Sequence, residues 1–305
     1  MSFMPMGVGA PVPLPKTRMG RWKASKTIVK ESWRLLMLDK EILWFPVISG
    51  LVTLLVYAAV GYTYFLTVLG GNFNALETLE EKGFDIVSLV FLFVLYTLSF
   101  FVVNFFQAGI MIIARARFSG RDLGFADGIA GVASKLGKLF VWSAINATVG
   151  VILAQTASRS RMLGNIVSML LGAAWNIMTF FSLPALVLND VSIPGAFKES
   201  ASMVRRVWGE TIIVVFGVGL FFGVIVGVGI IVCFVAAGIA FEVFAAETLS
   251  VLILLGVLPL FIIIVLITAS ALGAIFKTAL YEYASTGQIP AGFSPEIVQD
   301  AISRK

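Results

Sequence analysis

The stretch Leu249–Phe276, LSVLILLGVLPLFIIIVLITASALGAIF, decides the fold class. It contains no charged side chain over 28 consecutive residues. An α-helix rises about 1.5 Å per residue, so about 20 apolar residues cross a hydrocarbon core of about 30 Å. The stretch therefore predicts a transmembrane helix.

Five further segments meet the same criterion: Ile42–Leu69, Ile86–Ala114, Leu139–Gln155, Met162–Leu188 and Thr211–Phe241. Leu139–Gln155 is at the lower limit of length, and Thr211–Phe241 is so long that it requires a tilt or a kink. The sequence thus predicts an all-α polytopic membrane protein, with six transmembrane helices in one domain over residues 21–305. Pro184 and Pro259 lie inside predicted spans, where each removes a backbone hydrogen bond and allows a kink.

The overall composition agrees with this class. Of the 305 residues, 59% are hydrophobic and 13% are charged, and the mean hydropathy is +0.99. Soluble domains carry about 25% charged residues. A water-soluble fold could not cover so much apolar surface with so few charges, so most of the surface must face lipid.

The residue types that are absent exclude several chemistries. The chain has no His, and its only Cys, Cys233, lies within an apolar run. A Ser–His or Cys–His catalytic pair, an imidazole zinc site and an internal disulfide are therefore excluded. No ionised residue lies in the central part of a predicted span, which argues against a carboxylate-based ion site. We expect no cofactor, no metal and no enzymatic activity.

The distribution of basic residues predicts the orientation. If the six spans alternate, 19 of the 22 Lys and Arg residues lie on one side of the membrane, and only Lys82, Arg159 and Arg161 lie on the other. An excess of Lys and Arg marks the cytoplasmic side. We therefore expect a protein of the cytoplasmic (inner) membrane with both termini in the cytoplasm. Residues 1–20 are rich in Pro and Gly and are predicted to be a disordered cytoplasmic tail rather than a signal peptide.

Each basic segment that precedes an odd-numbered span has the pattern of an amphipathic helix. Apolar residues recur on one face of each segment: Trp22, Val29, Trp33 and Leu36; Phe125, Ile129, Val132, Leu136 and Leu139; and Phe197, Ala201, Val204 and Trp208. Such helices suit the headgroup region of a bilayer. We expect the flanking basic residues to contact anionic lipid headgroups, namely Lys26, Lys30, Arg34, Lys135, Lys138, Arg205 and Arg206.

Local sequence similarities support an internal repeat. Lys30-Glu31-Ser32 recurs as Lys198-Glu199-Ser200, and Ile193-Pro194 recurs with a following Phe as Ile289-Pro290. The repeated unit is a span that ends in the cytoplasm, an interfacial helix and a span that leads back out. Three copies, one of them split between the termini, predict approximate threefold pseudosymmetry. The alternative is that re-entry helices of any bundle look alike by chance.

The two ends of the chain resemble a known family. The stretches ESWRLLMLDKEILWFPVISG (Glu31–Gly50) and TALYEYASTGQIPAGFSPEIVQDAI (Thr278–Ile302) look like those of a prokaryotic six-span membrane-protein family that is catalogued only as a domain of unknown function. A weaker similarity links LPALVLNDVSIPGAFKESASMVRR (Leu183–Arg206) to the membrane domains of some glycerophosphodiester phosphodiesterases. The resemblance implies a fold and a membrane location, but no catalytic or binding residues.

Uncharged polar residues within the spans form the candidate intramembrane site. They are Thr97, Asn104, Gln107, Asn146, Asn176 and Thr179. Such groups in lipid need hydrogen-bond partners, so they either join neighbouring helices or line a polar path along the bundle. Small residues at steps of four predict close helix packing, in the series Gly164, Ser168, Gly172 and Asn176, Gly219, Gly223 and Gly227, and Gly229, Cys233 and Ala237.

The sequence favours a non-enzymatic membrane scaffold or accessory component that contacts anionic lipid. The partners we expect are membrane lipids and unidentified proteins, and no nucleic acid, because no module of stacking aromatic residues accompanies the basic residues. The main alternative is a passive channel or a lipid or small-solute transporter lined by the uncharged polar residues. A second alternative is an enzyme acting on lipid headgroups, with Arg115, Asp122, Asp127 and Asp190 as its available groups. The acidic loop Gly70–Asp85 is expected to be solvated rather than to bind a divalent cation.

Overall fold

The computed structural model describes residues 21–72, 85–158, 163–206, 208–242, 247–287 and 290, without the side chains of 21–29, 206, 208–218 and 220. The predicted tail at 1–20 lies outside the described residues. Every regular element in the described residues is helical. The α-helices are α1 (Arg21–Leu38), α2 (Trp44–Thr67), α3 (Ile86–Phe118), α4 (Phe125–Ala133), α5 (Leu136–Ser158), α6 (Leu163–Met178), α7 (Ser182–Leu188), α8 (Ile193–Arg206), α9 (Trp208–Glu242), α10 (Glu247–Leu252) and α11 (Leu258–Thr286). A 3₁₀ turn at Lys40–Leu43 leads into α2, and a π-helical segment at Ile253–Val257 joins α10 to α11.

Six helical segments are long and apolar enough to cross a membrane, which confirms the predicted number and indicates a multi-pass membrane protein. They are Lys40–Thr67, Ile86–Phe118, Leu136–Ala157, Leu163–Leu188, Phe221–Glu242 and Glu247–Thr286, and we refer to them as spans one to six. The short third segment predicted from the sequence is part of a helix that begins three residues earlier, at Leu136.

Two spans are interrupted close to their prolines. Span four breaks between Met178, the end of α6, and Ser182, the start of α7. Pro184 has no N–H, so it cannot donate to the carbonyl of Phe180. Two residues earlier, the Ser182 N–H donates to the carbonyl of Thr179, three residues back, at 3.0 Å. In span six the π-helical segment ends two residues before Pro259. The sequence-predicted kinks thus coincide with real changes in helix geometry.

The buried core lies at one end of the bundle, which we call the basal end and define as the end that carries α1, α4 and α8. Large side chains are fully buried there, among them Leu36, Phe45, Ile110, Phe181 and Tyr281. Further toward the other end, which we call the far end, spans one, four and six expose large apolar side chains such as Leu55, Leu170 and Leu255. Such a surface is stable only where hydrocarbon rather than water surrounds it.

Span two, formed by α3, is the centre of the helix contacts. It packs against α2, α5, α7 and α11, while α9 packs against α10 and α11. The short basal helices each pack on the ends of spans: α1 on α9 and α11, α4 on α3, and α8 on α6 and α7. Spans two, four and six therefore meet at the basal end, and the connecting helices surround them.

The joint between α2, α3 and α4 depends on two glycines. Phe45 is fully buried, and its ring lies 4.5 Å from the ring of Phe125. A Cβ atom on Gly109 would lie 2.8 Å from Phe45 Cδ1, and one on Gly128 would lie 2.8 Å from Phe45 Cζ. Both distances are shorter than van der Waals contact, so only glycine allows α4 to approach α3 around this ring.

The small-residue series have different surroundings. A Cβ on Gly229 would clash with the ring of Phe261, so this residue brings α9 close to α11. On span four, Ser168 donates to the carbonyl of Leu153 on α5 at 2.6 Å. The series Gly219, Gly223 and Gly227 has no atom within 4 Å of the added Cβ positions. Two of the three predicted series thus make close contacts within the chain, and the third has no close neighbour in the part of the chain that the structure describes.

Candidate functional site

Two of the six intramembrane polar residues predicted from the sequence, Asn104 and Asn146, join pairs of helices. Asn104 Nδ2 donates to Ser143 Oγ at 3.0 Å, which ties α3 to α5. Trp175 Nε1 donates to Asn146 Oδ1 at 3.0 Å, which ties α6 to α5. Asn146 Nδ2 donates to the carbonyl of Trp142 at 2.8 Å, so this amide is bonded through both its oxygen and its nitrogen.

The other four predicted residues do not extend these bonds into one site. Thr179, directly after α6, donates its hydroxyl hydrogen to the carbonyl of Trp175 in the last turn of that helix at 2.7 Å. Thr97 is buried, and its hydroxyl has no partner among the described residues. Gln107 is half-buried and Asn176 is exposed. The arrangement fits hydrogen bonding between helices better than a continuous polar path.

A more extensive polar network lies at the basal end, where spans two, four and six meet. Arg115 Nη1 donates to the carbonyl of Leu188 at 2.5 Å and to Asn189 Oδ1 at 3.4 Å. Arg115 Nε lies 2.7 Å from Glu282 Oε1. One guanidinium therefore connects α3, the end of α7 and α11, a geometry that a forked donor provides and an ammonium does not.

Tyr281 continues this network into α8. Its hydroxyl donates to Glu199 Oε1 at 2.6 Å and accepts a hydrogen bond from Asn189 Nδ2 at 2.7 Å. The phenol ring is fully buried beside Phe181, so its hydroxyl needs these partners. We call Arg115, Asn189, Glu199, Tyr281 and Glu282 the Arg115 network.

A second group of ionic contacts joins the turn before α2 to the start of α4. Arg117 pairs with Asp39 through both Nε and Nη2, with Nε lying 2.6 Å from Oδ2, and Nη2 also lies 2.6 Å from Asp122 Oδ1. Glu41 Oε2 accepts the backbone N–H of Phe125 at 3.1 Å, next to the start of α4. A carboxylate at a helix N-terminus is favourable because it bonds free N–H groups and opposes the helix dipole.

Lys135 and Lys138, which the sequence suggested as lipid contacts, both bind Asp190. Their Nζ atoms lie 2.9 and 3.0 Å from Asp190 Oδ1. These two hydrogen bonds, from Lys135 and then Lys138, lower the pKa of Asp190 to about 2. Asp190 also adopts a left-handed backbone conformation with φ of 53°. The lysines thus hold a strained turn at the end of span four, so less of their charge is available to lipid.

The other predicted lipid contacts stay directed to the surroundings where the structure describes them. Lys30, Arg34 and Arg205 are exposed. The side chains of Lys26 and Arg206 lie outside the described residues. Lys277, which the sequence assigned to the basic side without a role, lies partly buried with its ammonium 4.8 Å from the centroid of the Phe180 ring.

The residues suggested for lipid-headgroup chemistry are held by separate partners. Asp122 binds Arg117, Asp190 binds the two lysines, and the Asp127 carboxylate accepts the backbone N–H of Gly124 at 3.0 Å. Among the described residues no three His, Cys, Asp or Glu side chains are placed to hold a metal ion.

Most of the acidic loop lies outside the described residues. Asp85, at its end, is described, and its carboxylate accepts the backbone N–H of Ser88 at 2.8 Å. Hydrogen bonding to the Ser88 side chain, and then to this backbone N–H, lowers the pKa of Asp85. The bond to the backbone N–H caps the start of α3, so Asp85 has a structural role at the far end.

The Arg115 network was not predictable from the sequence, although four of its five residues, Asn189, Glu199, Tyr281 and Glu282, lie within the stretches Leu183–Arg206 and Thr278–Ile302. Tyr281 and Glu282 belong to the C-terminal family motif, and Glu199 belongs to the Lys-Glu-Ser repeat. Those motifs were the available signal. The sequence does not show which span ends meet, and that is what turns these residues into one network.

Comparison with known proteins gives one family and no individual relative. No curated protein and no solved structure matches the chain. The model of a family of unknown function (DUF6159) matches residues 86–293, which include the Arg115 network and spans two to six. The chain therefore belongs to this family.

Proposed function

We propose that the protein is a non-enzymatic scaffold or accessory component of the cytoplasmic membrane that contacts anionic lipid, with its basal end and both termini in the cytoplasm. The observation that carries the proposal is the Arg115 network. Its charged and polar groups bind one another across α3, α7, α8 and α11. Groups that bind one another in this way hold the helices together and are not free to bind a substrate.

The packing between spans two, four and six supports a structural role. Phe181, Leu186, Ile110 and Ile275 are almost completely buried there. A cavity beside Asp39 and Arg117 has a volume of about 10 Å³, room for about one water molecule. A packed centre at the basal end favours a scaffold over an open channel.

The charges of the described residues support the proposed orientation. The basal end carries Arg115, Arg117 and the lysines of the Asp190 turn, whereas Asp85, Glu242 and Glu247 mark the far end. Lys and Arg concentrate on the cytoplasmic side of membrane proteins. The basal end is therefore the end we assign to the cytoplasm.

Matching helix contacts support the threefold repeat, which we retain as part of the proposal. Each basal helix packs on the span that precedes it in the repeat: α1 on α11, α4 on α3, and α8 on α7. The pairs α2 and α3, α5 and α6, and α9 and α11 are also equivalent under the repeat. The similarity of Leu183–Arg206 to phosphodiesterase membrane domains stays a prediction from the sequence.

A passive lipid or solute transporter is the second candidate, and the exposed apolar surface of the far halves of the spans is where a lipid tail would enter. On span six, Leu255, Leu260 and Ile264 are each more than half exposed. A lipid tail that entered between these spans would need a route past the packed basal end. An enzyme acting on lipid headgroups is the least supported alternative, because the available carboxylates bind separate basic or backbone groups.

Reconstitution into liposomes tests the proposal. Lipid scrambling and solute flux are measured for the full chain and for Asn104→Leu and Gln107→Leu, with protein-free liposomes as reference. We expect the rates of all protein samples to equal the protein-free rate. A rate above that reference which either substitution abolishes would overturn the scaffold assignment in favour of transport.

A second experiment identifies, by mass spectrometry, the lipids that remain bound after the protein is extracted in native lipid. We expect anionic lipids to travel with the purified protein in excess over their share of the membrane. If the co-extracted lipids have the composition of the bulk membrane, the proposed anionic-lipid contact is wrong.

A further inference from the structure

Helix α1 presents two apolar faces rather than the single stripe that the sequence predicted. Leu36 is fully buried and, with Leu35 and Ser32, faces the core. Trp33 was assigned to the same stripe, yet it is 44% exposed. Residues 33 and 36 are three positions apart, which places their side chains about 60° apart around the helix axis. One side of a wide apolar surface can therefore face the core while the other side faces the surroundings.

The outward face of α1 combines aromatic, apolar and basic groups. Met37 and Leu38 are exposed beside Trp33. Lys30, three residues before Trp33, and Arg34, directly after it, are also exposed. We define the Trp33 face as Lys30, Trp33, Arg34, Met37, Leu38 and Trp44.

The other two basal helices lack this combination. The exposed residues of α4 are Ala126, Asp127, Ala130 and Ala133. On α8 the exposed residues within the described side chains are Pro194, Lys198, Ser202 and Arg205, which supply charge but no large apolar group. The repeat therefore differs in its outward chemistry even where its helix contacts match.

The Trp33 face includes the first residue of span one's helix α2, and the exposed charged residues Lys40 and Glu41 precede that residue. Trp44, the first residue of α2, is 59% exposed, and Leu51, Leu54 and Leu55 follow with more than half of their surface exposed. Span one is apolar enough to cross a membrane, so this surface is directed at lipid. Tryptophan side chains favour the boundary between headgroups and hydrocarbon, because one end of the indole is polar.

We infer that the Trp33 face binds anionic phospholipid of the cytoplasmic leaflet. The two indoles, Met37 and Leu38 enter the boundary between headgroups and acyl chains, and Lys30 and Arg34 pair with phosphate groups. The inference rests on the proposed function and assigns its lipid contact chiefly to α1. Lipid rather than a soluble protein is the partner because Trp44, which belongs to this face, is also the first residue of α2, whose exposed apolar surface is directed at lipid.

Charge substitutions on α1 and α8 test the assignment. The full chain is placed in nanodiscs that contain phosphatidylcholine and phosphatidylglycerol, and native mass spectrometry measures the retained ratio of the two lipids. A basic residue near the surface changes anionic-lipid binding by roughly fivefold. The double variant Lys30→Gln/Arg34→Gln should lower the preference for phosphatidylglycerol at least fivefold. The matched control Lys198→Gln/Arg205→Gln should lower it less than twofold.

The depth of the Trp33 face is measured separately. Single cysteines are introduced by Met37→Cys and by Ser202→Cys in a Cys233→Ala background, and a water-soluble maleimide is applied to the reconstituted protein. We expect Met37→Cys to react at least tenfold more slowly than Ser202→Cys, because the membrane boundary covers it.

The outcomes separate this inference from the proposed function. If the α8 variant loses the lipid preference and the α1 variant keeps it, anionic-lipid contact stands and the Trp33 face is the wrong surface. Equal labelling at the two cysteines also overturns the inference and favours a face open to a soluble partner. If the unmodified protein shows no preference for phosphatidylglycerol, the lipid-contact part of the proposed function fails as well.

Discussion

Replacing Gly109 by alanine adds one methyl group at the joint between α2, α3 and α4. The new Cβ would lie 2.8 Å from Phe45 Cδ1 and 3.0 Å from Phe45 Cζ, against about 3.4–4 Å for ordinary contact. The Phe45 ring is fully buried between Phe106 and Phe125, so it cannot turn away without displacing them.

The expected cost follows from overpacking. Added methyl groups in a well-packed core typically cost about 1–3 kcal/mol. Alanine regains up to about 1 kcal/mol over glycine in a helix. We therefore expect Gly109→Ala to lower the free energy of unfolding by about 1–2 kcal/mol. The control Gly50→Ala lies on α2, where no atom of the described residues comes within 4 Å of the added Cβ, and it should leave that free energy unchanged or slightly raised.

Steric trapping in lipid bicelles measures the free energy of unfolding of both variants and of a double-mutant cycle. In a Phe45→Leu background the smaller side chain leaves room for the methyl group. Gly109→Ala should then cost about 1 kcal/mol less than it does beside Phe45. Equal effects of Gly109→Ala and Gly50→Ala, or strict additivity in the cycle, would refute the packing that we describe at this joint.

Three further substitutions test the polar contacts, each by thermal unfolding in the same bicelles. Arg115→Leu leaves the Glu282 carboxylate without its ion-pair partner and the Leu188 carbonyl without its hydrogen-bond donor, and it should cost about 1–3 kcal/mol; an unchanged midpoint would contradict the network. Tyr281→Phe should cost a similar amount, because Glu199 and Asn189 lose a shared partner, whereas Tyr57→Phe on the exposed surface of α2 should be neutral. The pKa of Asp190 is lowered to about 2, so its contribution to stability is complete above about pH 4 and is lost as the pH falls through about 2. Asp190→Asn should accordingly lower the midpoint at neutral pH by an amount that disappears near pH 2, and a difference independent of pH would exclude the ionic contact as its cause.

The spans were predictable because their signal is local. Each hydrocarbon crossing needs about 20 apolar residues, and the chain supplies six such segments between charged ends. The observed helices run a few residues beyond most of the predicted segments, since a helix can continue into the headgroup region as α3 does to Phe118. Pro184 and Pro259 likewise indicated the interruptions of spans four and six, because a missing N–H is a property of one residue.

The partners at the basal end were not predictable in the same way. The sequence placed Lys135 and Lys138 beside an interfacial helix, and lipid phosphate was their expected partner. Asp190 binds them instead, because the end of span four lies against the start of span three. The same is true of Tyr281 and Glu199, which are 82 residues apart in the chain. Contacts of this kind depend on which span ends meet, and periodicity contains no information about that.

The uncharged polar residues are an intermediate case. The sequence indicated that amides in lipid need partners, and the bonds of Asn104 to Ser143 and of Trp175 to Asn146 meet that need. Thr97 and Asn104, both on span two, do not form one site, because Asn104 bonds Ser143 whereas the Thr97 hydroxyl has no partner among the described residues.

The number of crossings and the side of each terminus test the central claim most directly. Single cysteines in a Cys233→Ala background, at Ser2→Cys, Asn74→Cys and Ser303→Cys, are treated with a membrane-impermeant maleimide in intact cells. The account predicts labelling of Asn74→Cys from outside, and labelling of the two terminal cysteines only after the cells are opened. Labelling of the two termini from opposite sides, or labelling of Ile263→Cys within span six from water, would contradict it.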